Sequence, residues 1–139
     1  EASFIQIHRD PVETIPSICS LTEKTRRPFT KRMDKNEIGV RTLSYWEESL
    51  AKGEKEKSSI SQDKFINVKF EDFIVKPIEQ IKAIYSQLDL NLDKETERKM
   101  IDFTQKFKKA EKAKHSYGLS EFGLSKESVQ NTLSKYISF

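Results

Sequence analysis

The 139-residue chain is long enough for one domain with a hydrophobic core and too short for two ordinary domains. Its 35% of hydrophobic residues, nine of them Phe, exclude a disordered chain even though 34% of the residues are charged. The net charge of +3 is too small to indicate a nucleic-acid partner. No apolar run approaches the roughly 20 residues that span a bilayer.

Cys19 is the only cysteine, so the chain cannot form an internal disulfide, which is typical of a reducing compartment. We therefore expect a cytoplasmic location. The first residue is Glu rather than Met, and we expect the chain to be part of a longer protein.

The first two elements are a strand and a helix. Residues 3–8 alternate apolar and polar side chains, which predicts a short buried strand. Asp10 is a good N-cap and Pro11 fits the first position of a helix, while Glu13 has capping-box spacing. The helical period predicts an apolar face made of Val12, Ile15 and Cys19.

Two polar stretches frame the next helix. Residues 23–37 predict a basic loop, and residues 53–64 predict a solvated connection. Between them a helix is predicted at about 40–52, with one buried face consisting of Val40, Leu43, Trp46 and Leu50. Residues 65–70, FINVKF, are rich in apolar and β-branched side chains and predict a second strand.

The rest of the chain predicts helices. Two are expected at about 77–89 and 94–108, the second capped by Asp93, and a last one is capped by Ser125. The residues predicted to be buried in the last two helices are Met100, Phe103, Phe107, Val129, Leu133 and Tyr136. Two strands separated by helices favour a parallel sheet covered on both faces, with further strands from outside this chain.

The junction between the first strand and the first helix has the clearest chemistry. Ligands of open α/β folds bind at the carboxyl ends of strands, where a helix N-terminus favours phosphate. Arg9 can hold phosphate oxygens with its planar charged group, and Ser17 can donate a hydroxyl hydrogen bond. The alternative is structural, with Ser17 solvated. Arg9 would then pair with a carboxylate, and the candidates are Asp10, Glu13 and Glu37.

Three segments, in this order, resemble the sulfotransferase family. Residues 7–21, IHRDPVETIPSICSL, resemble the segment in which an Arg, and a Ser eight residues later, bind the 3′-phosphate of PAPS (3′-phosphoadenosine 5′-phosphosulfate). Its HRDP opening is closer to the bacterial and protist-type branch than to the cytosolic aryl or steroid enzymes. Residues 67–92 resemble the family's strand, turn and helix, and residues 114–139 resemble its closing segment.

This resemblance implies the C-terminal part of a single sulfotransferase domain over residues 1–139. The implied fold is α/β and P-loop-hydrolase-like, here a helix-rich portion with about two parallel strands. The implied reaction transfers a sulfuryl group from PAPS to a hydroxyl or amine acceptor, without a metal. Arg9 and Ser17 are the positions that match the 3′-phosphate ligands.

A basic segment near the C-terminus covers the 3′-phosphate side of the nucleotide in this family. The resemblance therefore makes Lys114 and His115 further candidates for cofactor binding. They belong to a cluster consisting of Lys106, Lys108, Lys109, Lys112, Lys114 and His115. The alternative is a solvated helix end.

One departure from the family pattern concerns catalysis. Sulfotransferases carry a P-loop-like segment that cradles the 5′-phosphosulfate, and no Pro-Arg/Lys-Ser-Gly-Thr-Thr pattern occurs in this sequence. We expect that this loop and the general base lie in the part of the domain that precedes this chain, and that the chain alone is inactive. The alternative function is a truncated or degenerate nucleotide-binding or interaction module of the same fold.

Overall fold

The computed structural model describes residues 2–109 and 117–136, except for the side chains of residues 107–109. The chain divides into two compact units. Among the described residues, the sheet unit takes residues 2–8 and 61–109, and the helical unit takes residues 9–60 and 117–136. Each unit is therefore built from two separate stretches of sequence.

The predicted alternation of strands and helices is confirmed. In chain order the elements are β1 (Phe4–His8), α1 (Pro11–Arg26), α2 (Lys35–Lys57), β2 (Phe65–Lys69), α3 (Phe70–Val75), α4 (Pro77–Gln87), α5 (Lys94–Lys109) and α6 (Lys126–Leu133). A 3₁₀ turn at Leu119–Phe122 precedes α6. No helix in the described ranges is both long and apolar enough to cross a membrane.

The sheet unit is built on the parallel pairing of β1 with β2, which confirms the predicted strand direction. Phe4 lies opposite Phe65, and their rings stack with centroids 5.1 Å apart. At the other end of β1, His8 Nε2 lies 2.8 Å from the side-chain oxygen of Asn67. The His8 side chain thus links the carboxyl ends of the two strands.

The prediction that the first strand is buried is wrong for this chain. Ile66 and Val68 of β2 are buried, whereas Phe4, Ile5 and Ile7 of β1 are 44%, 48% and 56% exposed. In the part of the chain that the structure describes, β2 is the only strand that pairs with β1. One edge and much of the surface of β1 therefore stay open, because a strand is covered on both faces only inside a wider sheet.

Three helices complete the sheet unit. Asp93 caps α5 as predicted, because its carboxylate accepts hydrogen bonds from the backbone amides of Glu95 and Thr96, each at 2.9 Å. Hydrogen bonds from Thr96 hold the pKa of Asp93 below its usual value. Phe103, predicted to be buried, is 65% exposed, since α5 packs on α4 and only one of its faces is covered. Phe107 lies outside the described side chains.

The helical unit has its core where α1, α2, α6 and the 3₁₀ turn meet. As predicted, Ile15 and Cys19 are buried on α1, and Val129 and Leu133 on α6. Ser125 caps α6 by accepting a hydrogen bond from the amide of Ser128. Among the described residues of this unit, the buried core cluster consists of Ile15, Cys19, Ile38, Leu43, Phe122, Leu124, Val129 and Leu133.

Two corrections concern the first two helices. Both ends of the predicted basic loop at 23–37 and the start of the predicted connection at 53–64 are helical, because α1 reaches Arg26 and α2 runs from Lys35 to Lys57. Lys, Arg and Glu are good helix formers, and pairs of them four residues apart support these ends. The pairs are Glu23 with Arg27, Glu37 with Arg41, and Lys52 with Glu56.

The buried face of α2 also differs from the prediction. Val40 is 62% exposed, whereas Ile38 is buried, because α2 meets the 3₁₀ turn at Phe122 on the side that carries Ile38 and Gly39. Trp46 and Leu50 pack against the core as predicted. Trp46 is therefore a core residue of the helical unit, and this agrees with its spacing in the sequence.

Candidate nucleotide-phosphate site

The candidate site lies in the helical unit and starts at the N-terminus of α1. Asp10 is the N-cap, and its carboxylate accepts a hydrogen bond of 2.8 Å from the amide of Val12. Pro11 occupies the first turn, as predicted. The Thr14 hydroxyl donates to the backbone oxygen of Asp10 at 2.9 Å. This capping fixes the backbone that carries Arg9 at the positive end of the helix dipole.

Arg9 precedes the N-cap, and its guanidinium lies 3.4 Å from the carboxylate of Glu13. This contact corrects the expected role of Glu13, whose carboxylate pairs with Arg9 in place of the predicted capping box. The Arg9 side chain is 44% exposed and that of Glu13 is 62% exposed. An exposed ion pair contributes about 0–1 kcal/mol, so the pair is weak enough to yield to a phosphate.

Ser17 lies two turns into α1 and is half-buried. Its hydroxyl is 3.0 Å from the hydroxyl of Tyr117, which is 100 positions away in the sequence. Glu13 and Ser17 are four residues apart on α1 and so share one face of the helix, and the Arg9 guanidinium reaches Glu13 from before the N-cap, so the three side chains form one row. The Arg9–Ser17 spacing seen in the sequence therefore places both groups along one side of α1.

Tyr117 is the residue of this site that the sequence prediction missed. Its Ser17 contact joins the segment before the 3₁₀ turn to α1 within the helical unit. The turn itself is held by a hydrogen bond of 2.8 Å from the amide of Gly118 to the carboxylate of Glu121. No local pattern in the sequence identifies such a partner, although Tyr117 lies in the segment that resembles the family's closing residues.

The other predicted site residues have different outcomes. Lys114 and His115 lie outside the described residues, as does Lys112 of the same cluster. Lys108 and Lys109 belong to α5 but their side chains are not described, and Lys106 is exposed. Cys19 is buried, and burial raises the pKa of its thiol, so it is not a reactive thiolate. Within residues 2–106 and 117–136, no group of three His, Cys, Asp or Glu side chains could hold a metal ion.

The chain is similar to sulfotransferases both in sequence and in structure. Residues 1–94 match the sequence profile of the sulfotransferase family. The sulfotransferase STF9 from Mycobacterium avium superposes with a TM-score of 0.81 and 24% identity over 94% of this chain. The sulfotransferase STF1 from Mycobacterium tuberculosis H37Rv superposes with a TM-score of 0.80 and 24% identity over 96% of this chain. No curated protein matches the sequence.

The structural matches define the architecture as the α/β fold of these two enzymes. The predicted fold, a helix-rich portion with two parallel strands, is confirmed. Because the family profile matches well over half of its residues, the chain belongs to the sulfotransferase family. The chain spans about a third of each solved neighbour, 34% and 33% of their lengths.

Proposed function

We propose that this chain is the C-terminal part of a PAPS-dependent sulfotransferase domain and supplies its 3′-phosphate-binding arm. The observation that carries the proposal is the row on α1, where Arg9 precedes a capped helix N-terminus and Ser17 follows two turns later. Membership of the sulfotransferase family supports a sulfuryl donor such as PAPS, and the row offers a cation and a hydroxyl to its phosphate.

The order of the three side chains in the row suggests how one phosphate group would bind. The guanidinium of Arg9 lies beside Glu13, and Ser17 follows Glu13 by one helical turn, a rise of about 6 Å. A phosphate that takes the place of the Glu13 carboxylate beside Arg9 would lie within about one helical turn of Ser17. We therefore assign Arg9 to a charge-assisted contact and Ser17 to a neutral one, with Glu13 displaced when the phosphate binds.

Lys114 and His115 are proposed as further ligands on the same side of the nucleotide. They precede Tyr117 by three and two residues, and Tyr117 contacts Ser17. The support for them is the resemblance of residues 114–139 to the family's closing segment, in which a basic segment covers the 3′-phosphate side of the nucleotide. Positive charge there would add to the attraction that Arg9 exerts on the phosphate.

In the complete domain the reaction would be an in-line sulfuryl transfer. A hydroxyl oxygen or amine nitrogen of the acceptor forms a bond to sulfur while the bond between sulfur and the 5′-phosphate oxygen breaks. Adenosine 3′,5′-bisphosphate leaves with the electron pair, and the acceptor proton passes to a general base. The arm contributes by holding the donor in place, because orientation lowers the barrier without any chemistry at Arg9 or Ser17.

The chain by itself is expected to bind the nucleotide without turnover, because the phosphosulfate loop pattern is missing from its sequence. A radiolabelled-PAPS assay with a panel of alcohol and amine acceptors should show no sulfuryl transfer above the rate without protein. Turnover that survives repurification would contradict the assignment of the catalytic loop to another part of the domain. Absence of turnover together with absence of nucleotide binding would favour an interaction module.

Replacing Arg9 with Ala is expected to weaken binding of adenosine 3′,5′-bisphosphate by about 30-fold, because a charge-assisted hydrogen bond contributes about 2 kcal/mol. Isothermal titration calorimetry measures the affinity. Adenosine 5′-monophosphate, which lacks the 3′-phosphate, should bind the variant and the parent protein equally. Arg9→Lys should lie between them, because it keeps the charge and loses the planar fork.

Arg41→Ala is the matched control, since Arg41 also pairs with a Glu four residues away, on α2 of the same unit. It should leave the affinity unchanged. A parent protein that binds both nucleotides equally, or an Arg41→Ala loss as large as that of Arg9→Ala, would overturn the proposed arm.

A further inference from the structure

We propose that Tyr117 is a positioning residue that orients the Ser17 hydroxyl toward the 3′-phosphate. This inference rests on the proposed function and adds a residue to its binding arm. The observation behind it is the hydroxyl–hydroxyl distance of 3.0 Å between Ser17 and Tyr117 in a half-buried setting. Two hydroxyls at this distance form one hydrogen bond, and either of them can be its donor.

The chemistry of the ligand decides the direction of this hydrogen bond. A serine hydroxyl has one hydrogen to donate and two lone pairs that accept. An ionised phosphate only accepts, so Ser17 must donate its single hydrogen to the phosphate when the nucleotide is bound. Tyr117 must then be the donor to Ser17. A tyrosine hydroxyl is well suited to this, because a phenol is more acidic than an aliphatic alcohol.

The surroundings of both residues hold this pair in place. Ser17 lies between the buried Pro16 and Cys19 on α1. Tyr117 directly precedes Gly118, whose amide is bound by Glu121, and the turn that follows has Phe122 buried in the core. The backbone on each side of the contact is thus anchored by packing, which keeps the two hydroxyls within hydrogen-bonding distance of each other.

A positioning role differs from two simpler ones. If Tyr117 contacted the phosphate directly, its contribution to binding would not depend on Ser17. If it served only the packing of the helical unit, its removal would affect the binding of every nucleotide alike. A hydroxyl that acts through Ser17 must instead affect only ligands with a 3′-phosphate, and only while Ser17 is present.

The test is a double-mutant cycle of Tyr117→Phe and Ser17→Ala in the full chain, with calorimetric titration of adenosine 3′,5′-bisphosphate and adenosine 5′-monophosphate. We expect Tyr117→Phe to weaken bisphosphate binding about fivefold and to leave monophosphate binding unchanged. In the Ser17→Ala background, Tyr117→Phe should have no further effect. Tyr45→Phe, an exposed tyrosine on α2, is the matched control and should change neither affinity.

Three outcomes would overturn the inference. Additive losses in the double variant indicate a direct contact of Tyr117 with the phosphate. Equal losses for both nucleotides indicate a structural role, and no loss at all indicates that Ser17 needs no partner. The Arg9→Ala variant distinguishes these outcomes from a failure of the proposed binding arm. If Arg9→Ala strongly weakens bisphosphate binding while one of the three outcomes is seen, the arm stands and only the role of Tyr117 is removed.

Discussion

Replacing Phe122 with Ala should lower the free energy of unfolding of the helical unit by about 3–5 kcal/mol. Phe122 is 1% exposed and is among the largest fully buried side chains of the described structure. It comes from a short turn, yet it packs in the core with residues of α1, α2 and α6. The truncation would remove the transfer free energy of the ring and leave a cavity among three helices that cannot all move inward.

Urea unfolding followed by Trp46 fluorescence measures this effect. Trp46 is the only tryptophan, and it packs against the core of the helical unit, so its signal reports on that unit. Phe29→Ala is the control, because Phe29 lies in the same unit and is 89% exposed; it should change the stability by less than about 0.5 kcal/mol. Equal losses for the two variants would contradict the central position of Phe122.

Gly39→Ala is expected to destabilise the same unit by about 3 kcal/mol, at the upper end of the range for overpacking. Gly39 is buried on α2, and a Cβ atom added there would collide with the backbone carbonyl of Phe122. A backbone group cannot rotate aside as the end of a side chain can. The helix and the turn would therefore have to separate, which exposes the core between them.

Gly53→Ala on the same helix is the matched control for the glycine effect. Nothing lies within 4 Å of a Cβ atom added at Gly53, so Ala should stabilise the helix there by about 0.5–1 kcal/mol through its higher helix propensity. Opposite signs for the two substitutions, measured by Trp46 fluorescence in urea, are the expected result. A neutral Gly39→Ala would mean that α2 and the turn do not approach this closely.

The features that the sequence predicted best depend on local chemistry. The N-caps at Asp10, Asp93 and Ser125 are all confirmed, because a side chain that caps a helix does so within three residues of itself. The parallel pairing of the two strands is also confirmed. Strands that are joined through helices are usually parallel, because parallel strands need a long crossover connection. These rules need no knowledge of the rest of the fold.

The features that were missed depend on contacts between distant residues. The burial of Ile38 in place of Val40 follows from where α2 meets the turn at Phe122, and no periodicity within α2 fixes that position. The exposure of Phe103 depends on which neighbours α5 has. The Ser17–Tyr117 pair joins residues 100 positions apart, so the site prediction contained Ser17 and lacked its partner.

The division of the chain into two interleaved units affects how it can be cut. The polypeptide passes from the sheet unit to the helical unit after His8, returns after Ile60, and crosses again before Tyr117. A single proteolytic cut in the turn near Ile60 would give two fragments, each with pieces of both units. Neither fragment could fold as a complete unit, so a nicked chain would keep its structure only while the two fragments stay associated.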